Sequence, residues 1–376
     1  MPMLRRWRSL RRLSQEIRRI GVWYRCSSFV GRDASSSSFT ENPLFHQDGL
    51  PRYDAVTAEH VKPALTQMLQ TMEAEMGSFR ESLAAKDAAS LTYADVMEEL
   101  EIIKAPVEYA WGVVDHLASV MDSDELRASH QEMQGPVVEL FTKLAQDKVI
   151  FKSLEAIQVN GSHLDNVQAR VIESAIADMR LGGVDLEGDD QENFNKNLLR
   201  LSELSTTFAN NVLDSTKEFK IDVEDPADIE GLPASARELC AQSASTSHDD
   251  ATADEGPWQL GLSMPTYLPA MQHLKNRSLR QQLYLAYVNR AGDSNAPIME
   301  EILRLRKENA NILGFRSHAE VSLQTKMAPS VDAVSELTDQ LLAKARPAAE
   351  MEFEKLTSFA KVRLTPCRFL QLLVYL

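Results

Sequence analysis

Zinc hydrolysis is the chemistry most directly legible from spacing. Two histidines four apart on a helix put both imidazoles on one face, and a glutamate beside the first polarises the metal-bound water. The eight histidines are His46, His60, His116, His130, His163, His248, His273 and His318; no two are four apart, so HExxH is absent. His318-Ala319-Glu320 matches the first half of a zinc deaminase signature. The second half, P-C-x-x-C, fails, because Pro366-Cys367 runs on into Arg368, Phe369 and Leu370. Asp185, Glu187, Asp189 and Asp190 look like the start of a calcium loop. The places that need Gly and Glu hold Asp190 and Lys196, so these acids are expected instead at the N-terminus of a helix opening near Glu192, where the dipole favours them.

The remaining acid–base neighbours are Glu300-Glu301, Glu99 with Glu101, and Asp115-His116. The glutamates read as solvated helix faces and the Asp-His dipeptide as a local polar pair. Tyr284 and Tyr287 share a helix face and read as core. No phosphate-binding glycine loop and no G-x-S-x-G elbow occurs. The residues themselves therefore assign no catalytic, cofactor-binding or metal-ligating position. Cys26, Cys240 and Cys367 are far apart and odd in number, which argues against a disulfide framework or a cysteine-rich metal site.

Charge narrows the partners. Residues 1–40 carry nine Arg against Glu16 and Asp33, a net +7, so the rest of the chain holds −22 of the overall −15. An acidic body of that size speaks against nucleic acid, which demands clustered Lys and Arg. The basic N-terminus is patterned: Leu4, Trp7, Leu10, Leu13, Ile17 and Ile20 form one apolar helical stripe among the arginines, and Ser35–Ser38 follows. Arg-rich, acid-poor and amphipathic is the composition of a transit peptide, with the mitochondrial matrix expected ahead of the plastid. The alternative is a basic surface helix for a membrane or partner. No stretch is apolar enough over ~20 residues to span a bilayer.

With only 15 Gly and 15 Pro in 376 residues, the body is expected to be mainly α. Apolar periodicity predicts helices from Thr57, as cap, to Ala85, and from Thr92 to Met121 with a break or kink at Pro106. Further helices are expected over Asp124–Leu144, Asp165–Leu181, Glu192–Thr216, Ser235–Cys240, Arg277–Arg290, Pro297–Leu313 and Ser330–Ala360. Phe219–Val223 and Trp258–Leu262 alternate and are expected to pair as one short antiparallel hairpin. Between them Ala241–Gly256 reads as a mobile polar loop.

Longer stretches carry a family likeness. Asn42-Pro43-Leu44 and Glu59-His60-Val61-Lys62-Pro63-Ala64 open the body, and Leu201-Ser202-Glu203-Leu204 leads to Phe208-Ala209-Asn210-Asn211-Val212-Leu213-Asp214. Tyr267-Leu268-Pro269 follows the second strand. The densest run comprises Ala286-Tyr287, Arg290, Asn295-Ala296-Pro297-Ile298, Ile302-Leu303, Arg306-Lys307-Glu308, Leu313-Gly314-Phe315 and Thr325-Lys326-Met327-Ala328. In this order, over roughly residues 42–361, the chain resembles the oligopeptidase A and thimet oligopeptidase family of zinc metallopeptidases.

That resemblance implies a mostly helical N-terminal part of a two-lobed peptidase whose channel admits short unstructured peptides. It implies a cofactor, zinc, held by HExxH and a downstream Glu that lie beyond the last matching residue. It implies as substrates short oligopeptides, cleaved targeting peptides among them, degraded inside an organelle. Residues 1–40 are then a transit peptide, 41–361 the helical region, and 362–376 a divergent tail in which the likeness is lost from Val362. The expectation is a product truncated before its zinc site, holding no zinc and inactive alone, with the catalytic lobe as its missing partner. The alternative is a non-catalytic helical isoform that binds peptides or a partner.

Overall fold

The computed structural model describes residues 42–363, apart from 247 and 249. The basic segment expected to be a transit peptide and the tail from residue 364 lie outside the described residues, as do Cys26 and Cys367. The chain folds as two units, residues 42–82 with 97–137, and residues 83–96 with 138–363.

The first unit contains most of α1 (Ala58–Ala85), α2 (Glu99–Val120) and the first part of α3 (Asp124–Ala145). Asn42 ties the entering chain down: its side chain accepts from Leu44 N (3.1 Å) and donates to His60 O (2.9 Å). Thr57 stands just before α1, its backbone N–H donating to His60 Nδ1 at 3.1 Å. Along α1, Val61, Leu65, Met68, Met72, Met76 and Phe79 recur at three- and four-residue spacing and are all buried, the stripe a core-facing helix requires. Of the break or kink expected at Pro106, the break does not occur: α2 runs through it. Loss of one helical hydrogen bond and a ring clash cost about 3 kcal/mol. Ile103, Val107 and Ala110 are buried on either side, and burying each large one is worth about 2 kcal/mol, so packing wins.

The second unit is larger. Here Lys86 donates to Asp95 Oδ1 at 2.6 Å, while Thr92 N and Oγ1 donate to Oδ2 at 2.9 and 2.7 Å. The lysine first, then the threonine, hold the Asp95 carboxyl down at about 2. α4 (Lys148–Val159) was not foreseen, because Val149-Ile150-Phe151 interrupts any clear period. Its start is set by Asp147, whose carboxylate accepts from Val149 N (2.9 Å) and Ile150 N (3.0 Å). α5 (Asn166–Leu181) packs on α4 and opens with the capping box of Asp165 and Gln168.

α6 (Gly188–Glu218) leads into β1 (Lys220–Val223), which pairs antiparallel with β2 (Trp258–Gly261) as expected: Ile221 faces Leu260 and Val223 faces Trp258. Between the strands, α7 (Ala234–Ala244) runs four residues beyond its expected end at Cys240, since Ala241 and Ala244 are small enough to bury. The supposed loop is also tied, with Thr252 and Gly256 exchanging two backbone hydrogen bonds of 3.0 Å. α8 (Met264–His273), α9 (Arg277–Val288), α10 (Gly292–Ile312), α11 (His318–Leu323) and α12 (Val331–Arg363) complete the chain. Trp258, Leu260, Leu262, Cys240, Leu274 and Leu283 form the heart of a core around the hairpin. Burial there pushes the Cys240 thiol up to about 11, so it serves as a small apolar side chain. No helix among the described residues is long and apolar enough to cross a membrane.

Candidate functional site

The structure disperses the residues singled out for chemistry. His318 is the first residue of α11, and partial burial, with Arg306 and Lys326 nearby, lowers its pKa. Glu320 is occupied by the turn before it, accepting from Arg316 N (2.8 Å) and Nε (2.7 Å). Asp189 and Asp190 lie in the first turn of α6 and Glu187 at its cap, where Lys148 pairs with it. The reading of these acids as helix-terminal holds, with the helix opening at Gly188 rather than Glu192. Glu101 pairs with Lys104 at 2.5 Å along α2.

Asp115 and His116 do not make the local pair expected of them. Neighbours on a helix point about 100° apart. Asp115 lies instead 3.5 Å from Nε2 of His130, whose ring stacks on Trp111 at 4.6 Å, whereas the His116 ring tilts against Tyr53. Among the described residues, no three His, Cys, Asp or Glu side chains converge to hold a metal ion.

What converges is a polar seam along antiparallel α6 and α10. Asn197 donates to Asn309 Oδ1 (2.9 Å) at one end, and Asn211 to Asn295 Oδ1 (2.9 Å) further along. Asn295 also donates to the carbonyl of Phe208 at 3.2 Å. Between these rungs Arg200 grips both oxygens of Glu301 at 2.8 and 2.9 Å, which holds that carboxyl below its usual range. Sequence reasoning missed the seam, though a signal was present: among the asparagines of each helix, the two that form rungs stand 14 residues apart, a spacing that returns close to the same face. The seam also explains why α10 begins at Gly292 instead of Pro297. Asn295, buried, needs helical backbone to meet its partners.

The α9–α10 turn is strained and clamped. Ala291 takes left-handed backbone, φ 51°, and is the only non-glycine among the described residues to do so. Ser215 Oγ accepts from its N–H at 3.2 Å. Beside it Arg290 donates to Thr216 Oγ1 at 3.2 Å and lies 3.7 Å over the ring of Tyr287, which stacks on Tyr267 at 4.2 Å. Tyr287 is thus partly core, as expected, and partly a clamp. The arrangement holds no nucleophile and no ligand trio; what it does is fix the direction in which α10 leaves.

Truncating Asn295 to alanine strands the Asn211 amide and removes the second hydrogen bond on the Phe208 carbonyl, which keeps its helical one, and is expected to cost about 1–2 kcal/mol. Arg200→Ala removes a solvent-screened ion pair and is expected to cost less than Asn295→Ala. Urea unfolding of both variants checks the order.

Comparisons with known proteins agree on a lineage. The family model described as Neurolysin/Thimet oligopeptidase, N-terminal domain, matches residues 65–191, and Peptidase family M3 matches residues 270–372. Over 334 residues the chain is 41% identical to the probable cytosolic oligopeptidase A of Arabidopsis thaliana, covering 87% of this chain and 47% of the relative. It is 40% identical over 333 residues to that plant's organellar oligopeptidase A, chloroplastic/mitochondrial, covering 87% and 41%. To the oligopeptidase A of Escherichia coli (strain K12) it is 34% identical over 331 residues, covering 85% and 47%. The chain spans about half the length of the curated relatives it matches.

Proposed function

The chain belongs to the oligopeptidase A/thimet oligopeptidase family, and we propose that it supplies the N-terminal, mostly helical half of a zinc metalloendopeptidase acting on short peptides. The observation that carries this is a likeness to oligopeptidases A over 87% of the chain. Zinc, held by the rest of such an enzyme, would supply the activated water. This chain's contribution is scaffold: the Asn seam and the Tyr287–Arg290 clamp hold α10 in place and set the course of the segments that follow.

The basic, amphipathic N-terminal segment supports delivery to an organelle, the mitochondrial matrix ahead of the plastid, and the likeness to an organellar relative is compatible with that. A second reading, a non-catalytic chain that binds a partner, draws on the apolar face that α12 leaves open.

Incubated with zinc and a fluorogenic oligopeptide, the purified full chain is expected to cleave nothing above the enzyme-free blank. Cleavage abolished by a chelator would overturn the proposal that this half is inert by itself.

A further inference from the structure

Asn160 is the one asparagine of the chain that is followed by glycine. The pairing matters because the side-chain carbonyl carbon of an asparagine can be attacked by the backbone nitrogen of the next residue. A follower without a Cβ lets that nitrogen approach closely. The structure widens the difference from other asparagines. Asn42 and Asn276 are engaged as caps, each accepting a backbone N–H. The amides of Asn197, Asn211 and Asn295 are held in the seam between α6 and α10. Asn160 is exposed, and its amide reaches the carbonyl of Ala88 only at a stretched 3.5 Å.

Its place in the fold leaves it room to react. Asn160 caps the C-terminal end of α4, just past the last helical residue, with φ −89° and ψ 17°. Attack requires rotation about its Cα–C bond. Beyond it stands one short turn, Gly161–His163, closed by Leu164 N donating to Gly161 O at 3.1 Å. The rotation therefore opens a single turn at a helix end, where opening free energies are lowest, and leaves the helix itself intact. Val159 beside it is 84% exposed, so water has access.

We propose that Asn160 is a site of spontaneous deamidation, and that its products loosen the packing of α4 on α5. Gly161 N bonds to Asn160 Cγ and the Cγ–Nδ2 bond breaks. The proton lost from Gly161 N leaves with the amide nitrogen as ammonia, and a five-membered succinimide remains. Water then opens the ring at either carbonyl, giving an aspartate or an isoaspartate at position 160. Overall one water enters and one ammonia departs. Each product places a negative charge at the C-terminus of α4, the end whose free carbonyls are already negative. The isoaspartate also lengthens the main chain by one methylene. Only residues 160–165 join α4 to α5. The change is therefore passed to two helices that pack on each other and bury Ile150, Leu154, Ile157, Ile172 and Ile176.

The test is incubation of the full chain in mildly alkaline buffer at physiological temperature, followed by trypsin and mass spectrometry of the peptide spanning residues 153–170. Conversion to the acid at Asn160 is expected to outrun conversion at Asn166, in the same peptide, by roughly tenfold or more. Enzymatic methylation reports the isoaspartate. Gly161→Ala is expected to slow conversion by a similar factor, and it keeps the fold, since the new Cβ meets only Leu164 Cδ1 at an ordinary 3.5 Å. Hydrogen exchange at Ile157 and Ile172 is expected to rise in the aged chain, and Asn160→Asp is expected to reproduce the part due to charge. Equal conversion at Asn160 and Asn166, conversion untouched by Gly161→Ala, or conversion in urea but not in native buffer would overturn the assignment of the site. Complete conversion with unchanged hydrogen exchange would overturn the loosening of α4 on α5.

Discussion

Gly231→Ala is expected to destabilise the second unit by about 3 kcal/mol. Gly231 sits at φ 95°, and a Cβ built there would lie 2.2 Å from the backbone carbonyl oxygen of His273. Left-handed backbone alone costs an alanine about 1–2 kcal/mol. The clash adds a comparable amount, because what it meets is fixed backbone. That backbone is held from both sides: Lys275 N donates to Glu230 O at 2.8 Å, and Asn276 Nδ2 to Asp228 Oδ1 at 2.7 Å. Gly314 separates the two contributions, since it has φ 83° and nothing within 4 Å of its would-be Cβ. Gly314→Ala is therefore expected to cost only about 1 kcal/mol. Urea midpoints of the two variants, with hydrogen exchange at the β2 amides as the local reporter, test the difference; equal losses would show that the contact with His273 is not what makes Gly231 necessary.

Trp258→Ala is expected to be costlier, about 3–5 kcal/mol. The indole is fully buried at the end of the hairpin, opposite Val223, and is the largest side chain in the core around it. Its Nε1 donates to Ala253 O at 3.2 Å, so the ring also fastens the segment between α7 and β2. Trp258→Phe keeps most of the apolar volume and loses the donor, and is expected to cost about 2 kcal/mol. Hydrogen exchange at Leu260 should rise in the order wild type, Phe, Ala. An alanine variant no worse than the phenylalanine one would mean the indole's volume is not what holds the hairpin.

Much of this was legible in the sequence, because helices and hairpins leave short-range periods. The stripe through Val61, Leu65, Met68 and Met72 marks α1, and alternation over Phe219–Val223 and Trp258–Leu262 marks the two strands and their antiparallel pairing. Ordered matches such as Asn295-Ala296-Pro297-Ile298 marked the family, and the lack of histidines four apart ruled out HExxH within this chain. These properties survive without knowledge of what each element packs against.

The tertiary structure decided the rest. Pro106 reads locally as a break, and only the burial of Ile103 and Val107 carries α2 through it. Pro297 reads as a first-turn residue, yet α10 starts at Gly292 because Asn295 must meet Asn211 across the seam with α6, some 80 residues away in sequence. Asp115 and His116 are neighbours in sequence but face different partners, since a helix turns about 100° between them. α12 is the sharpest case. Its apolar period predicted the helix, but whether that face is covered depends on which chains lie beside it, and a period encodes only that some partner is needed.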